Sequence, residues 1–379
     1  MAIGSNEDGG TGAPSLGQLA LQRTLSNASQ IFGTVKAGST SATATWMARY
    51  PDSTPLAQLN IPGTHDSATW NYDAKAQARL APVAALAGAT VYPWQAYRTQ
   101  RRSMADALEA GVRFFDLRFA PDVTGVRLVF WHASGLLSET ATLEDVLFGF
   151  FAWLDSHPTE TVLLSLKIED MTWGSQDPSS LVTQMQLYEL LTGAAARRYI
   201  LQASGVLGQL GAARGKAVVV RRFTLDKLPP EWDAALPGIH LPPSLWTKNS
   251  PAMELVYNRP LGLAAYIEDC YEAQAVPLTA GAQENIEEKV RVTTAHLDKA
   301  ARAEHARALF ITFASAERVY AAKPVTPDMM ALGGPGMPTG GVNDQLAAYL
   351  REAKGKRLGI LVLDFWNEPE DLVALILGL

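Results

Sequence analysis

The sequence predicts an α/β protein folded as a (β/α)₈ barrel, and three observations carry that expectation. From residue 45 onward, eight short apolar runs recur along the chain, separated by helical patterns or loops. Most are rich in Val, Ile, Leu and Phe without strict alternation, as parallel strands buried on both faces are. Ionisable residues stand at or just beyond the C-terminal ends of most runs, the end at which barrel enzymes assemble their sites.

The elements follow in chain order. Residues 1–44 are rich in Gly, Ser, Thr and Ala and read as a flexible N-terminal segment, with 31–36 as a possible short strand. The first barrel strand is expected over 56–61. Pro62 and Gly63 then turn the chain and present Thr64, His65 and Asp66. Residues 71–101 form a long excursion holding Tyr72, Val91, Tyr92, Trp94 and Tyr97. It reads as a packed insertion helix, with an interfacial lid as the alternative because Trp and Tyr favour the lipid headgroup level.

A helix over 103–110 leads into the second strand, 112–119, with Asp116 and Arg118 near its end. The third strand, 127–132, ends at His132. Thr142 caps a helix over 142–157, with Glu144 and Asp145 in its first turn and Pro158 beyond its end. The remaining strands are 161–168 with Lys167, 216–223 with Arg222, 262–268 before Asp269 and Tyr271, 308–314, and 358–365 with Asp364. Amphipathic helices are expected over 284–307 and 343–354, and a loop near the site over 335–341.

Composition narrows the function. The 379 residues are 47% hydrophobic and 18% charged, enough for a large core and unlike a disordered or fibrous chain. A net charge of −6 and a pI of about 5.6 argue against a nucleic-acid groove and against strong capture by an anionic membrane. Cys270 is the sole cysteine, so neither an internal disulfide nor a cysteine-based zinc site is expected. No run of about 18 apolar residues appears, so no membrane-spanning helix is expected. The first residues lack a basic segment followed by an apolar stretch, which favours a cytoplasmic location and leaves secretion open.

The residues themselves point to acid–base chemistry. His65 with Asp66, and a second His at the end of another strand, would deliver two imidazoles able to exchange protons near neutral pH. His157 reads as a helix-end residue, and His240, His296 and His305 as solvated. Trp131 reads as barrel packing.

The order of motifs resembles the catalytic X-type domain of phosphatidylinositol-specific phospholipase C, nearer the small bacterial and fungal forms than the calcium-regulated ones. The pieces that carry it are Ile-Pro-Gly-Thr-His-Asp-Ser (61–67), Gly-Val-Arg-Phe-Phe-Asp-Leu-Arg (111–118) and Phe-Trp-His (130–132). His-Pro-Thr-Glu-Thr-Val-Leu-Leu-Ser-Leu-Lys (157–167), the 207–223 segment, Ile-Glu-Asp-Cys-Tyr (267–271) and Leu-Gly-Ile-Leu-Val-Leu-Asp-Phe (358–365) complete the set. The resemblance implies a distorted TIM (β/α)₈ barrel forming a single catalytic domain over 45–379. It implies cleavage of phosphatidylinositol to diacylglycerol and inositol 1,2-cyclic phosphate, with the inositol 2-hydroxyl as nucleophile.

By resemblance His65 is the general base, oriented by Asp364, and His132 the general acid, paired with Asp66. Arg118 bridges the phosphate oxygens, and Asp116 completes the catalytic set. Lys167, Arg222, Asp269 and Tyr271 would select the headgroup, with Arg222 rather than Arg221 facing inward because strand side chains alternate. Arg118 stands where calcium-dependent relatives hold their metal, which implies no cofactor. The alternative is calcium on Asp66 and Asp116. Ala133 departs from the family, which often has Gly there. The expected partner is unphosphorylated phosphatidylinositol met by a monomer during transient membrane-surface contact, with no nucleic acid. The alternatives are a metal-dependent phosphodiesterase on another phospholipid headgroup and a non-catalytic inositol-lipid binding module; a pure binder has no need of an acid–base pair.

Overall fold

Residues 13–35, 41–86, 88, 90–170, 177–319, 324–334 and 337–379 are described by the structure, a computed structural model. The strands are β1 Ile61–Thr64, β2 Phe114–Pro121, β3 Leu128–His132, β4 Gly135–Leu136, β5 Thr161–Ile168, β6 Lys216–Arg222, β7 Ile239–His240, β8 Met253–Asn258, β9 Leu263–Glu268, β10 Leu309–Phe313 and β11 Ile360–Leu363. Neighbours run β7-β6-β5-β2-β1-β11-β10-β9-β8. The eight from β7 to β9 are all parallel, and β8 joins β9 antiparallel. Among the described residues β7 and β8 do not pair, so the barrel is nearly closed and open at that seam.

The count of eight parallel strands matches the expectation, but the membership differs. The 127–132 run is β3, which folds back antiparallel on β2 and pairs in turn with β4. Too few residues separate Pro121 from Leu128 for the crossover a parallel pair requires. Instead Asp122 Oδ1 accepts from the Thr124 and Val126 amides and tightens a hairpin. The eighth parallel strand is the short β7, whose two residues carry no periodicity.

The first strand is also displaced. Leu56–Gln58 forms a 3₁₀ turn, and Pro62 and Gly63 lie inside β1 rather than in a turn after it. The Ile61 and His65 amides bond to β11, so by alternation the Pro62 nitrogen faces the β2 side, where β2 has not yet begun. The missing N–H therefore costs the ladder nothing. A Cβ on Gly63 would fall 2.9 Å from the Phe114 ring, so only glycine lets β1 and β2 approach there.

The N-terminal segment is not simply a flexible lead-in. Leu16–Phe32 is a helix that starts with a Ser15–Gln18 capping box. It buries Ala28, Ile31 and Phe32, and Phe32 meets Phe150 edge-on at 4.9 Å. The strand expected over 31–36 is replaced by the end of this helix, with Lys36 outside the described residues; residues 1–12 and 37–40 lie outside them as well. Leu16, Leu19 and Leu21 stay exposed, so the apolar pattern is broken and only the tertiary contact decides the conformation.

The other expected helices appear as Met104–Ala110, Leu143–Ser156, Ala282–Ala300 and Val342–Glu352. Ser103 and Thr142 cap the first two, each with an Asp three residues on. His296 is buried rather than solvated and bonds Thr312 Oγ1 through Nδ1 at 2.8 Å. His157 is buried too, stacked on Trp153 at 4.0 Å. The described part of the 71–101 excursion, which leaves out 87 and 89, is packed: helix Ala74–Leu86 buries Leu80 and Ala84, while Tyr72 and Tyr97 are 1% and 2% exposed. Part of the 335–341 loop, residues 335 and 336, lies outside the described residues. Among those described, no helix is long and apolar enough to cross a membrane.

Candidate active site

The C-terminal ends of the parallel strands open onto a cavity of about 720 Å³, a size that suits a small polar headgroup. His65, Arg118, His132, Lys167, Arg222, Asp269, Tyr271 and Asp364 all line it. Asp66 and Asp116 are fully buried behind Arg118. The structure thus brings together every residue singled out from the sequence.

His65 leaves β1 with its Nδ1 2.8 Å from Asp364 Oδ1, at the end of β11. Its carbonyl accepts from Gln100 Nε2 at 2.8 Å, which fixes the backbone as well. His132 ends β3, and its ring centroid lies 6.0 Å from that of His65 at an interplanar angle of 87°. With each Nδ1 engaged from behind, both rings keep Nε2 for the cavity.

His132 Nδ1 faces two groups, the Asp66 carboxyl expected from the sequence and a backbone carbonyl that no residue type announces. Its Nδ1–H donates to the Tyr97 carbonyl at 2.8 Å. Asp66 Oδ2 lies 3.3 Å from the same nitrogen, and neither Asp66 oxygen has a hydrogen-bond partner among the described residues. The insertion thus supplies the acceptor that orients the ring, with the Asp66 carboxyl close beside it. A backbone carbonyl leaves no residue-type signal in a sequence.

Among the described residues, three of the four non-glycine residues at positive φ follow the site residues directly: Asp66 at 38°, Ala133 at 46° and Phe365 at 46° come after His65, His132 and Asp364. The left-handed region costs an L-residue about 1–2 kcal/mol, so the chain holds strain at each point where it turns away from a reacting side chain.

Arg118 binds Asp116 Oδ2 through Nε at 2.9 Å, and Arg222 Nη1 takes the other Asp116 oxygen at 3.0 Å. Burial opposes ionisation of Asp116, but Arg118 and Arg222 outweigh it and hold its carboxyl well below the usual range. Burial, then Arg118, pushes His65 well below an ordinary imidazole, and the same two causes lower His132. Burial drives Asp66 and Asp364 well upward.

Around the headgroup space, Lys167 Nζ pairs with Glu169 at 3.2 Å. The Arg222 guanidinium lies 3.8 Å from the Trp246 ring centroid, and Trp246 Nε1 donates to Asp269 Oδ2 at 2.7 Å. Arg221 points the other way, onto Asp233. Glu169, Trp246 and Glu317 also line the cavity and were not anticipated. Glu169 follows Lys167 by two residues, and that spacing was the available signal. Trp246 and Glu317 sit in loops without one.

Arg118 stands among Asp66 at 3.8 Å, Asp116 at 2.9 Å and Glu169 at 3.9 Å, so its guanidinium is the positive charge that these carboxyl groups face. Among the described residues, no group of three His, Cys, Asp or Glu side chains is arranged to hold a metal ion.

The fold is that of solved phosphatidylinositol-specific phospholipase C structures. A double mutant of the Staphylococcus aureus enzyme superposes with a TM-score of 0.65, at 19% identity, over 89% of this chain and 96% of its own. The Listeria monocytogenes enzyme superposes with a TM-score of 0.59, at 22% identity, over 88% and 97%. In sequence, the chain is similar to PI-PLC X domain-containing protein 1 of Mus musculus, 34% identical over 131 residues, 31% of this chain and 36% of that protein. It is likewise similar to the 1-phosphatidylinositol phosphodiesterase of Listeria monocytogenes, 35% identical over 135 residues, 36% of each. These matches span about a third of the relatives' own length. They bear out the resemblance read from the motifs. No family model matches the chain.

Proposed function

We propose that the chain is a metal-independent phospholipase C that cleaves phosphatidylinositol into diacylglycerol and inositol 1,2-cyclic phosphate. The observation that carries this reading is the pair of imidazoles 6.0 Å apart, each held at Nδ1, with the Arg118 guanidinium lining the same cavity. A phosphodiester between two such rings has a base on one side and an acid on the other.

In the proposed step His65 Nε2 takes the proton of the inositol 2-hydroxyl, and that oxygen bonds to phosphorus. The bond from phosphorus to the glycerol oxygen breaks, and His132 Nε2 gives its proton to the departing oxygen. Asp364 holds the His65 tautomer and stabilises the imidazolium that forms. Burial favours neutral His65, the state a base needs. His132 must be protonated against burial and the field of Arg118, and the phosphate anion supplies the opposing charge. Arg118 meets the charge developing on the non-bridging oxygens and does so with the fixed positive charge a metal would otherwise supply.

Lys167, Arg222 and Asp269 are proposed to hold inositol hydroxyls, and Tyr271 to cover the apolar face of the ring. Each basic side chain lining the space is paired with a carboxylate, which favours an unphosphorylated inositol. One chain supplies every group named, so a monomer at a lipid surface suffices.

The test is phosphorus NMR of the protein with phosphatidylinositol, and separately with phosphatidylcholine, in detergent. A cyclic inositol phosphate resonance from the first alone supports the reading. Cleavage of phosphatidylcholine, or no cyclic product, returns the weight to another headgroup or to a binding module.

A further inference from the structure

The segment that leaves β9 carries Asp269 and Tyr271 into the cavity, yet it belongs to neither a sheet ladder nor a helix. Its backbone polar groups need partners from elsewhere, and two side-chain clamps supply most of them. Cys270, between the two cavity residues, gives its N–H to Glu268 Oε1 at 2.8 Å, and its carbonyl accepts from Lys289 Nζ at 2.8 Å. Lys289 and Glu268 are themselves an ion pair at 2.8 Å, 1% and 0% exposed. Glu272, just past Tyr271, is held the same way: its N–H donates to Asn249 Oδ1 at 2.8 Å, and its carbonyl accepts from Asn249 Nδ2 at 3.0 Å. Backbone bonds from the Asp269 amide to Ser250 and from the Glu317 amide to the Tyr271 carbonyl, 2.9 and 2.8 Å, complete the cradle.

None of Glu268, Lys289 and Asn249 lines the cavity. A buried ion pair is a poor way to stabilise a core, because well-packed apolar side chains avoid its desolvation cost. What this pair offers that apolar residues cannot is an acceptor for the N–H and a donor for the carbonyl of one residue, Cys270. Asn249 shows the same economy, at φ 54°, a conformation that asparagine tolerates.

We propose that the Glu268–Lys289 pair and Asn249 are positioning residues for headgroup selection, acting by fixing the backbone on either side of Tyr271. The assignment rests on the headgroup reading above.

Two variants test it in the full chain. Asn249→Gly removes one clamp and leaves a residue at ease at positive φ; Lys289→Met removes the other. Binding of myo-inositol is followed by tryptophan fluorescence, since Trp246 touches Asp269. Each variant is expected to raise the myo-inositol Kd roughly tenfold, the scale on which groups that orient a site's contacts act. KM for phosphatidylinositol is expected to rise with it while kcat changes far less. Amide exchange is expected to quicken at Glu272 in Asn249→Gly and at Cys270 in Lys289→Met. An unchanged inositol Kd in Asn249→Gly overturns the proposal, whether or not Lys289→Met folds. A fall in kcat at constant KM overturns it too, since that is damage to the histidine centre. Failure of the wild-type chain to bind myo-inositol overturns the headgroup reading itself, and this assignment with it.

Discussion

Arg118 is where electrostatics and catalysis meet, and replacing it separates its charge from its shape. Its Nε is committed to Asp116 at 2.9 Å, which leaves the two Nη groups for a phosphate. In Arg118→Lys a single ammonium must serve both Asp116 and the phosphate, so one charged donor to the developing charge is lost. Such a donor is worth about 10²–10³ in kcat, or about 2.7–4 kcal/mol. Arg118→Met loses the charge as well, and a fall on the order of 10³–10⁵ is expected. Stability suffers less than the removal of a sole partner would cause, about 3 kcal/mol or somewhat under, because Arg222 remains 3.0 Å from Asp116. Arg118 follows burial among the causes that lower both His65 and His132, so both imidazoles are expected to titrate higher in Arg118→Met. Turnover is read by phosphorus NMR at saturating lipid, folding by thermal unfolding, and the imidazoles by carbon–proton NMR against pH. A folded Arg118→Lys with at least half the wild-type kcat would refute the reasoning, as would an imidazole that titrates lower.

Further outcomes follow from the same geometry. Asp364→Asn keeps the 2.8 Å contact in outline but loses the carboxylate that fixes the His65 tautomer, so kcat is expected to fall about 10³–10⁴-fold with little change in KM, checked by steady-state kinetics. Excess chelator is expected to leave turnover unchanged; a loss that calcium restores would make Asp66 and Asp116 metal ligands instead. His296 is held neutral by burial, its pKa pushed down to about 3, whereas the unfolded chain titrates near 6.5. The unfolded state therefore takes up the proton first as pH falls, and stability drops by up to about 1.4 kcal/mol per pH unit below about 6.5. In His296→Gln that contribution is absent, so urea unfolding from pH 7.5 to 4.5 should show the two proteins' stabilities converging.

The barrel was legible because a doubly buried parallel strand leaves a dense apolar run and a barrel site gathers at one end of those runs. His65, Arg118, Lys167, Arg222 and Asp364 were readable on that basis, and the structure places all five on one cavity. What could not be read depended on contacts distant in sequence. The helix Leu16–Phe32 exists for a packing contact with Phe150, over 100 residues away. The Tyr97 carbonyl that orients His132 belongs to an insertion whose side chains say nothing of its backbone. The misassigned β3 was different in kind, since the loop before it was already too short for a parallel crossover. Pro62 and Gly63 misled because their turn propensity is local, whereas a late-starting neighbour and a close ring made them fit a strand.

The central claim is that His65 and His132 have opposite proton roles, and a change of leaving group tests it most directly. An inositol phosphodiester with a nitrophenolate leaving group needs no proton on departure, so a general acid has nothing to do. His132→Ala and His65→Ala are assayed on this substrate and on phosphatidylinositol. Both variants are expected to lose turnover of the lipid, and His132→Ala alone to recover most of its loss on the activated substrate. Equal recovery in both variants, or recovery in His65→Ala instead, would contradict the assignment.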